Sequence, residues 1–138
     1  MNTMNTRGEA AAMERRSTTA RRTQPALLLR IEGAVVLALA VLLYWHIGAS
    51  WLMFALLLLA PDLAMLGYLG GSQVGATAYN IAHTYLLPAI LTAAGLLTIS
   101  ALLLTLSLIW FAHIGMDRAV GYGLKYSSGF HETHFDRV

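Results

Sequence analysis

Four apolar stretches fill the middle of the chain, separated by three short connections. A hydrocarbon core of about 30 Å takes roughly 20 mostly apolar residues per helix. The first predicted span runs from Ala26 to His46, and Ile47-Gly48-Ala49-Ser50 joins it to a second from Trp51 to Leu69. Gly70-Gly71-Ser72-Gln73 leads to a third from Val74 to Leu97, and Thr98-Ile99-Ser100 to a fourth from Ala101 to Gly121. Pro61 falls inside the second stretch. A helix ending at Ala60 would be too short to cross, so Pro61 reads as a kink within one span. Proline removes a backbone donor and loosens the turn before it. Membrane helices tolerate this where neighbours satisfy the freed groups. The expected fold class is all-α, a four-span transmembrane helix bundle.

Composition sharpens this reading. Apolar residues make up 57% of the 138 positions and charged residues only 12%, against about 25% charged in a soluble domain. Mean hydropathy is +0.61. Between Glu32 and Asp62, and again between Asp62 and Asp117, there is no Asp, Glu, Lys or Arg. Cysteine is absent, which excludes a disulfide framework, a thiolate zinc site and a cysteine nucleophile. No basic stripe lies outside the terminal segments, so no nucleic-acid partner is expected; the bilayer is.

Residues 1–24 are small and polar and read as a disordered N-terminal tail, leaving 25–138 as the membrane domain. The arginines at 7, 15, 16, 21 and 22, with Arg30, mark the N-terminal flank, and Arg118, Lys125 and Arg137 the C-terminal one. The three connections carry no Lys or Arg. The positive-inside rule therefore puts both termini in the cytoplasm, which an even number of spans also requires. Trp45 and Trp51 would then mark the outer interface, and Tyr122, Tyr126 and Phe130 the inner one.

The polar residues of the spans fall in one half of the membrane. At 1.5 Å per residue, Asp62, His83 and His113 each lie roughly 12–14 Å from the cytoplasmic end of their span. Glu32 lies near roughly 9 Å, and Asp117 and Tyr79 one turn shallower than His113 and His83. Ionisable groups in a membrane are costly and face the bundle interior, paired with one another. Residues four apart share a helix face. Gly71, Gly75, Tyr79 and His83 form one such row, whose glycines would admit a close neighbour or a second copy in a homodimer. His113, Asp117 and Gly121 form another, with Trp110 one turn above. Asp62, His83, His113 and Asp117 are the candidate metal ligands and catalytic groups. Tyr79, Asn80 and Glu32 are candidate supporting groups. The plain alternative is a buried polar network that only locks the bundle. Arg118 and Lys125 stand at headgroup level, where they would attract an anionic lipid or phosphate. Arg118 can equally snorkel or pair with Asp117. His131 and His134, three apart, fit a solvated tail or a lid over the cluster; their spacing is not that of a HExxH site.

The segments Pro61–Tyr68, Tyr79–Thr84, Ala112–Arg118 and Gly121–Tyr126, with Thr133-His134, resemble a family of small bacterial integral membrane proteins of unknown function. The resemblance covers roughly Leu27 to Val138. It implies a four-helix fold in a bacterial inner membrane and no established activity. A looser similarity, on short Pro-Asp and His-containing motifs alone, is to membrane-bound metal-dependent hydrolases.

Three functions compete. In the first, a mixed N/O ligand set holds Zn²⁺, Mn²⁺ or Fe²⁺ and hydrolyses a lipid-like substrate. In the second, His83 and His113 ligate a b-type haem. In the third, the Asp/His chain serves a carrier, a proton relay or an accessory subunit.

Overall fold

A computed structural model describes residues 3–124, with side chains at Met13 and from Pro25 onward. All described elements are helical: α1 (Thr3–Ile47), α2 (Trp51–Leu57), a 3₁₀ helix (Ala60–Gly70), α3 (Ser72–Ala82), α4 (Leu86–Leu97) and α5 (Ala101–Val120). They form four stretches long and apolar enough to cross a membrane: Pro25–Ile47, Trp51–Gly70, Ser72–Leu97 and Ala101–Val120. Most of their large apolar side chains point outward, among them Leu56, Leu66, Leu97 and Leu102. Water would not tolerate so broad an apolar surface; a bilayer solvates it. Residues 3–24, whose polar composition suggests an unfolded tail, continue α1 as helix. Alanine and arginine, nine of these 22 residues, are strong helix formers.

Span two differs from the kinked helix expected of Pro61. It changes type: α2 stops at Leu57, and Pro61 sits in the first turn of an eleven-residue 3₁₀ helix. Proline needs no N–H partner there. Runs of 3₁₀ helix beyond three or four residues are uncommon.

Span three was expected to be continuous and is not. It breaks at His83–Tyr85, between α3 and α4. Pro88 explains the break. It has no N–H for the Thr84 carbonyl, and its ring clashes with that carbonyl. The carbonyls at the end of α3 find other donors. Tyr79 O accepts the His83 N–H at 2.9 Å, and Ala82 O accepts the Trp110 indole N–H at 2.7 Å. The Thr84 hydroxyl donates to Ile81 O at 3.4 Å, and the Arg118 guanidinium to His83 O at 3.5 Å. Two of these four donors come from α5, so α5 holds the broken span together.

Spans one and four pack through glycine. A Cβ on Gly115 would lie 2.7 Å from Leu37 N and 2.8 Å from Gly33 O, so the two backbones meet directly. The Arg30 guanidinium lies against Gly121, which puts the Pro25 end of span one beside the Val120 end of span four. The 3₁₀ helix packs on α3, and α4 on α5. Thr92 on α4 donates to Ser107 on α5 at 3.0 Å. Gly75 of the expected glycine row is filled from within the chain by the Tyr68 ring. Gly71 makes no close approach; it turns the chain before α3 at φ 108°. At the opposite end Tyr44, fully buried, packs against Trp51 and Phe54 and donates to Ser50 O at 2.6 Å.

Candidate metal centre

Three spans contribute to one cluster. Asp62 comes from the first turn of the 3₁₀ helix, His83 from the break in span three, and His113 and Asp117 from successive turns of α5. One donor atom from each of the four lies within 4.8 Å of every other. The two imidazole Nε2 atoms are 3.0 Å apart. Asp62 Oδ1 lies 3.3 Å from His83 Nε2 and 3.6 Å from His113 Nε2. Asp117 Oδ2 lies 3.5 Å and 3.7 Å from the same two atoms. The histidines are buried, at 3% and 0% exposure, while the Asp62 side chain is 38% exposed and forms the open edge.

Tyr79 supports this cluster in three ways. Its carbonyl accepts the Nδ1–H of His83 at 2.8 Å. That contact fixes the tautomer and turns the Nε2 lone pair toward the other donors. Its ring stacks on the His83 imidazole, with centroids 3.7 Å apart, and its hydroxyl donates to Asp117 Oδ2 at 3.4 Å. Among the described residues His113 Nδ1 has no hydrogen-bond partner.

The other expected site residues divide. Asn80 is partly buried on α3 beside Tyr79. Glu32 is exposed and lines a separate groove with Gly33, Tyr85 and Arg118, outside the cluster. Arg118 reaches the backbone of the span-three break, where its guanidinium touches His83 O. Lys125, His131 and His134, and with them the lid, lie outside the described residues.

The cluster also bears on the haem alternative. Bis-imidazole ligation would need room for the haem between the two rings. Here the Nε2 atoms are 3.0 Å apart, with two carboxylates beside them, so no ring fits between.

Two contributors escaped sequence reasoning. Pro88 sets the break that frees His83, and its spacing from Thr84 was the available signal. An apolar pocket of about 400 Å³ is also lined in part by Ala60, Ala64 and Ala82, which stand within two residues of Asp62 or His83 in the chain. Ala60 and Ala64, four apart in a leucine-rich span, were its faint trace.

Residues 26–138 match a family described as a domain of unknown function, DUF4260. The chain belongs to the DUF4260 family. The DUF4260 match starts one residue after Pro25 opens the apolar part of α1 and takes in all four spans and the whole cluster. No curated protein and no solved structure matches the chain.

Proposed function

We propose that this DUF4260 protein is a membrane metalloprotein that holds a divalent ion among Asp62, His83, His113 and Asp117, and that it acts as a metal-dependent hydrolase. One observation carries the reading: the five separations from 3.0 to 3.7 Å among the four donor atoms. An ion 2.0–2.2 Å from nitrogen and oxygen donors sets tetrahedral edges of about 3.3–3.6 Å. The His83–His113 edge is shorter and corresponds to an angle nearer 90°, as in a site of higher coordination number with positions left open. Two imidazoles and two carboxylates without sulfur suit Zn²⁺, Mn²⁺ or Fe²⁺. Two carboxylates also balance the charge of a divalent ion, which a low-dielectric setting demands.

Such an ion, when bound, acidifies a water or polarises a carbonyl or phosphoryl oxygen. The protein's own groups do the rest. Tyr79 holds the His83 ring and the Asp117 carboxylate in place. The buried imidazoles keep water from the back of the cluster. Asp62, the most exposed of the four described ligands, leaves an edge by which water and substrate reach it.

Elemental analysis of detergent-purified protein tests the reading. A stoichiometric divalent ion is expected in the wild type, and its loss in His113→Ala. Wild-type protein that stays metal-free after incubation with Zn²⁺, Mn²⁺ and Fe²⁺ overturns it.

The 3.0 Å contact also favours a second reading. Without an ion, His113 Nε2–H can donate to the His83 Nε2 lone pair, and the chain from Asp62 and Asp117 through both rings becomes a proton relay. Metal-free, folded wild-type protein is the outcome that reading requires.

A further inference from the structure

The alanine-lined pocket has a wall chemistry that restricts its occupant. Ala60, Pro61 and Ala64 of span two face Ala82, Ile109 and Trp110 across it. Small side chains on two spans leave the space. Trp110 is the only lining residue with a polar side-chain atom, and its indole N–H is engaged by the Ala82 carbonyl at 2.7 Å. The ring therefore offers the pocket carbon alone. Ordered water needs two to four polar partners, and this pocket supplies too few. Its volume of about 400 Å³ lies in the range of ligand pockets.

The pocket also adjoins the cluster through the chain itself. Pro61 precedes Asp62, Ala82 precedes His83, and Ile109 lies four residues before His113 on the same helix face. An occupant made of hydrocarbon would reach the ligand cluster with its polar end. In a bilayer-spanning protein the hydrocarbon at hand is a lipid chain.

We infer that the substrate is a membrane lipid ester, its hydrocarbon chain in this pocket and its ester group at the metal. The inference rests on the metal reading above and adds the substrate class. The step is a hydrolysis: a water oxygen bonds to the carbonyl carbon or phosphorus, the ester bond to the alcohol oxygen breaks, and that oxygen takes a proton from the water. No electrons are exchanged.

The test uses the full chain in phosphatidylcholine vesicles doped with a phosphatidylcholine carrying a diazirine near the end of one acyl chain. Labelled positions are mapped by mass spectrometry and metal content is measured on the same samples. Labelling should concentrate on Trp110 and Ala64 over the outward-facing Leu97 and Leu102. Ala64→Trp should reduce the pocket labelling several-fold at unchanged metal content, and Leu102→Trp should leave it unaltered. Ala60→Trp, filling the pocket from one turn away, should repeat the result if Ala64→Trp fails to fold. Metal-loaded protein labelled evenly over its outward surface, with no response to either pocket variant, overturns the lipid inference alone. Pocket labelling in protein that binds no metal upholds the lipid chain and defeats the metal reading.

Discussion

Tyr79 holds His83 at two points, its carbonyl 2.8 Å from Nδ1 and its ring stacked at a centroid distance of 3.7 Å. Only its third contact, the hydroxyl on Asp117 at 3.4 Å, depends on the phenol oxygen. Tyr79→Phe should therefore keep the imidazole in place and weaken metal binding at the low end of the roughly 10–100-fold range seen when groups around metal ligands are removed. Tyr79→Ala loses the stack as well and should fall at the high end. Competition titration with a chelator measures both; equal affinities for the two variants would deny the ring any part.

The four ligand positions separate an ion-binding site from a structural lock. With an ion bound, Asp62→Ala and His113→Ala should each remove the metal and lower the detergent melting temperature only moderately. In a lock without an ion, Asp117→Ala should be the most damaging, since Asp117 faces both histidines and Tyr79. An unpaired buried charge costs roughly 3–5 kcal/mol, whereas interhelical hydrogen bonds in membranes average about 0.6 kcal/mol. Metal content beside melting temperature for the four alanine variants decides between them.

Pro88 gives an opposite kind of prediction. Pro88→Ala restores an N–H to the helix at the break and removes the ring that clashes with the Thr84 carbonyl. The variant should fold at least as well as the wild type yet bind metal more weakly, because a straightened span three turns His83 out of the cluster. Unchanged affinity would show that the break does not position the ligand.

Gly115→Ala should destabilise by about 1–3 kcal/mol, the usual cost of overpacking. The added methyl would meet Leu37 N and Gly33 O, backbone atoms on a packed helix that cannot swing aside. A melting temperature equal to that of the wild type would mean that spans one and four are not in this close contact.

Much of the architecture was legible from hydropathy, because the spacing of charged residues in a leucine-rich chain reports the membrane directly. The expected spans agree with the observed ones within about two residues at each end. The interior of the spans was less legible. Proline 61 was visible, but a hydropathy pattern does not separate an α-helix from a 3₁₀ helix of similar length. The break at His83 needed Pro88 to be read four residues backward. Of the candidate site, Asp62, His83, His113 and Asp117 were marked by depth and by helical spacing, which the bundle turns into proximity. Glu32 shared their depth without sharing their face, and depth alone cannot tell those apart. The alanine-lined pocket left almost no signal, since an absence of side-chain volume becomes a cavity only once three spans are assembled.

The unusual helix type of span two acts as a vernier against span three. These two spans run antiparallel, and they touch at two heights: the Tyr68 ring against Gly75, and Asp62 Oδ1 at 3.3 Å from His83. From Tyr68 back to Asp62 is six residues, about 12 Å at the 3₁₀ rise of about 2.0 Å. From Gly75 on to His83 is eight residues, again about 12 Å at the α-helical rise of about 1.5 Å. Wound as an α-helix, the same six residues would cover only about 9 Å and leave the carboxylate about 3 Å short of the imidazole. The stretched coil thus matches two unequal residue counts to one length, and a single inserted or deleted residue between Asp62 and Tyr68 would put the two scales out of step.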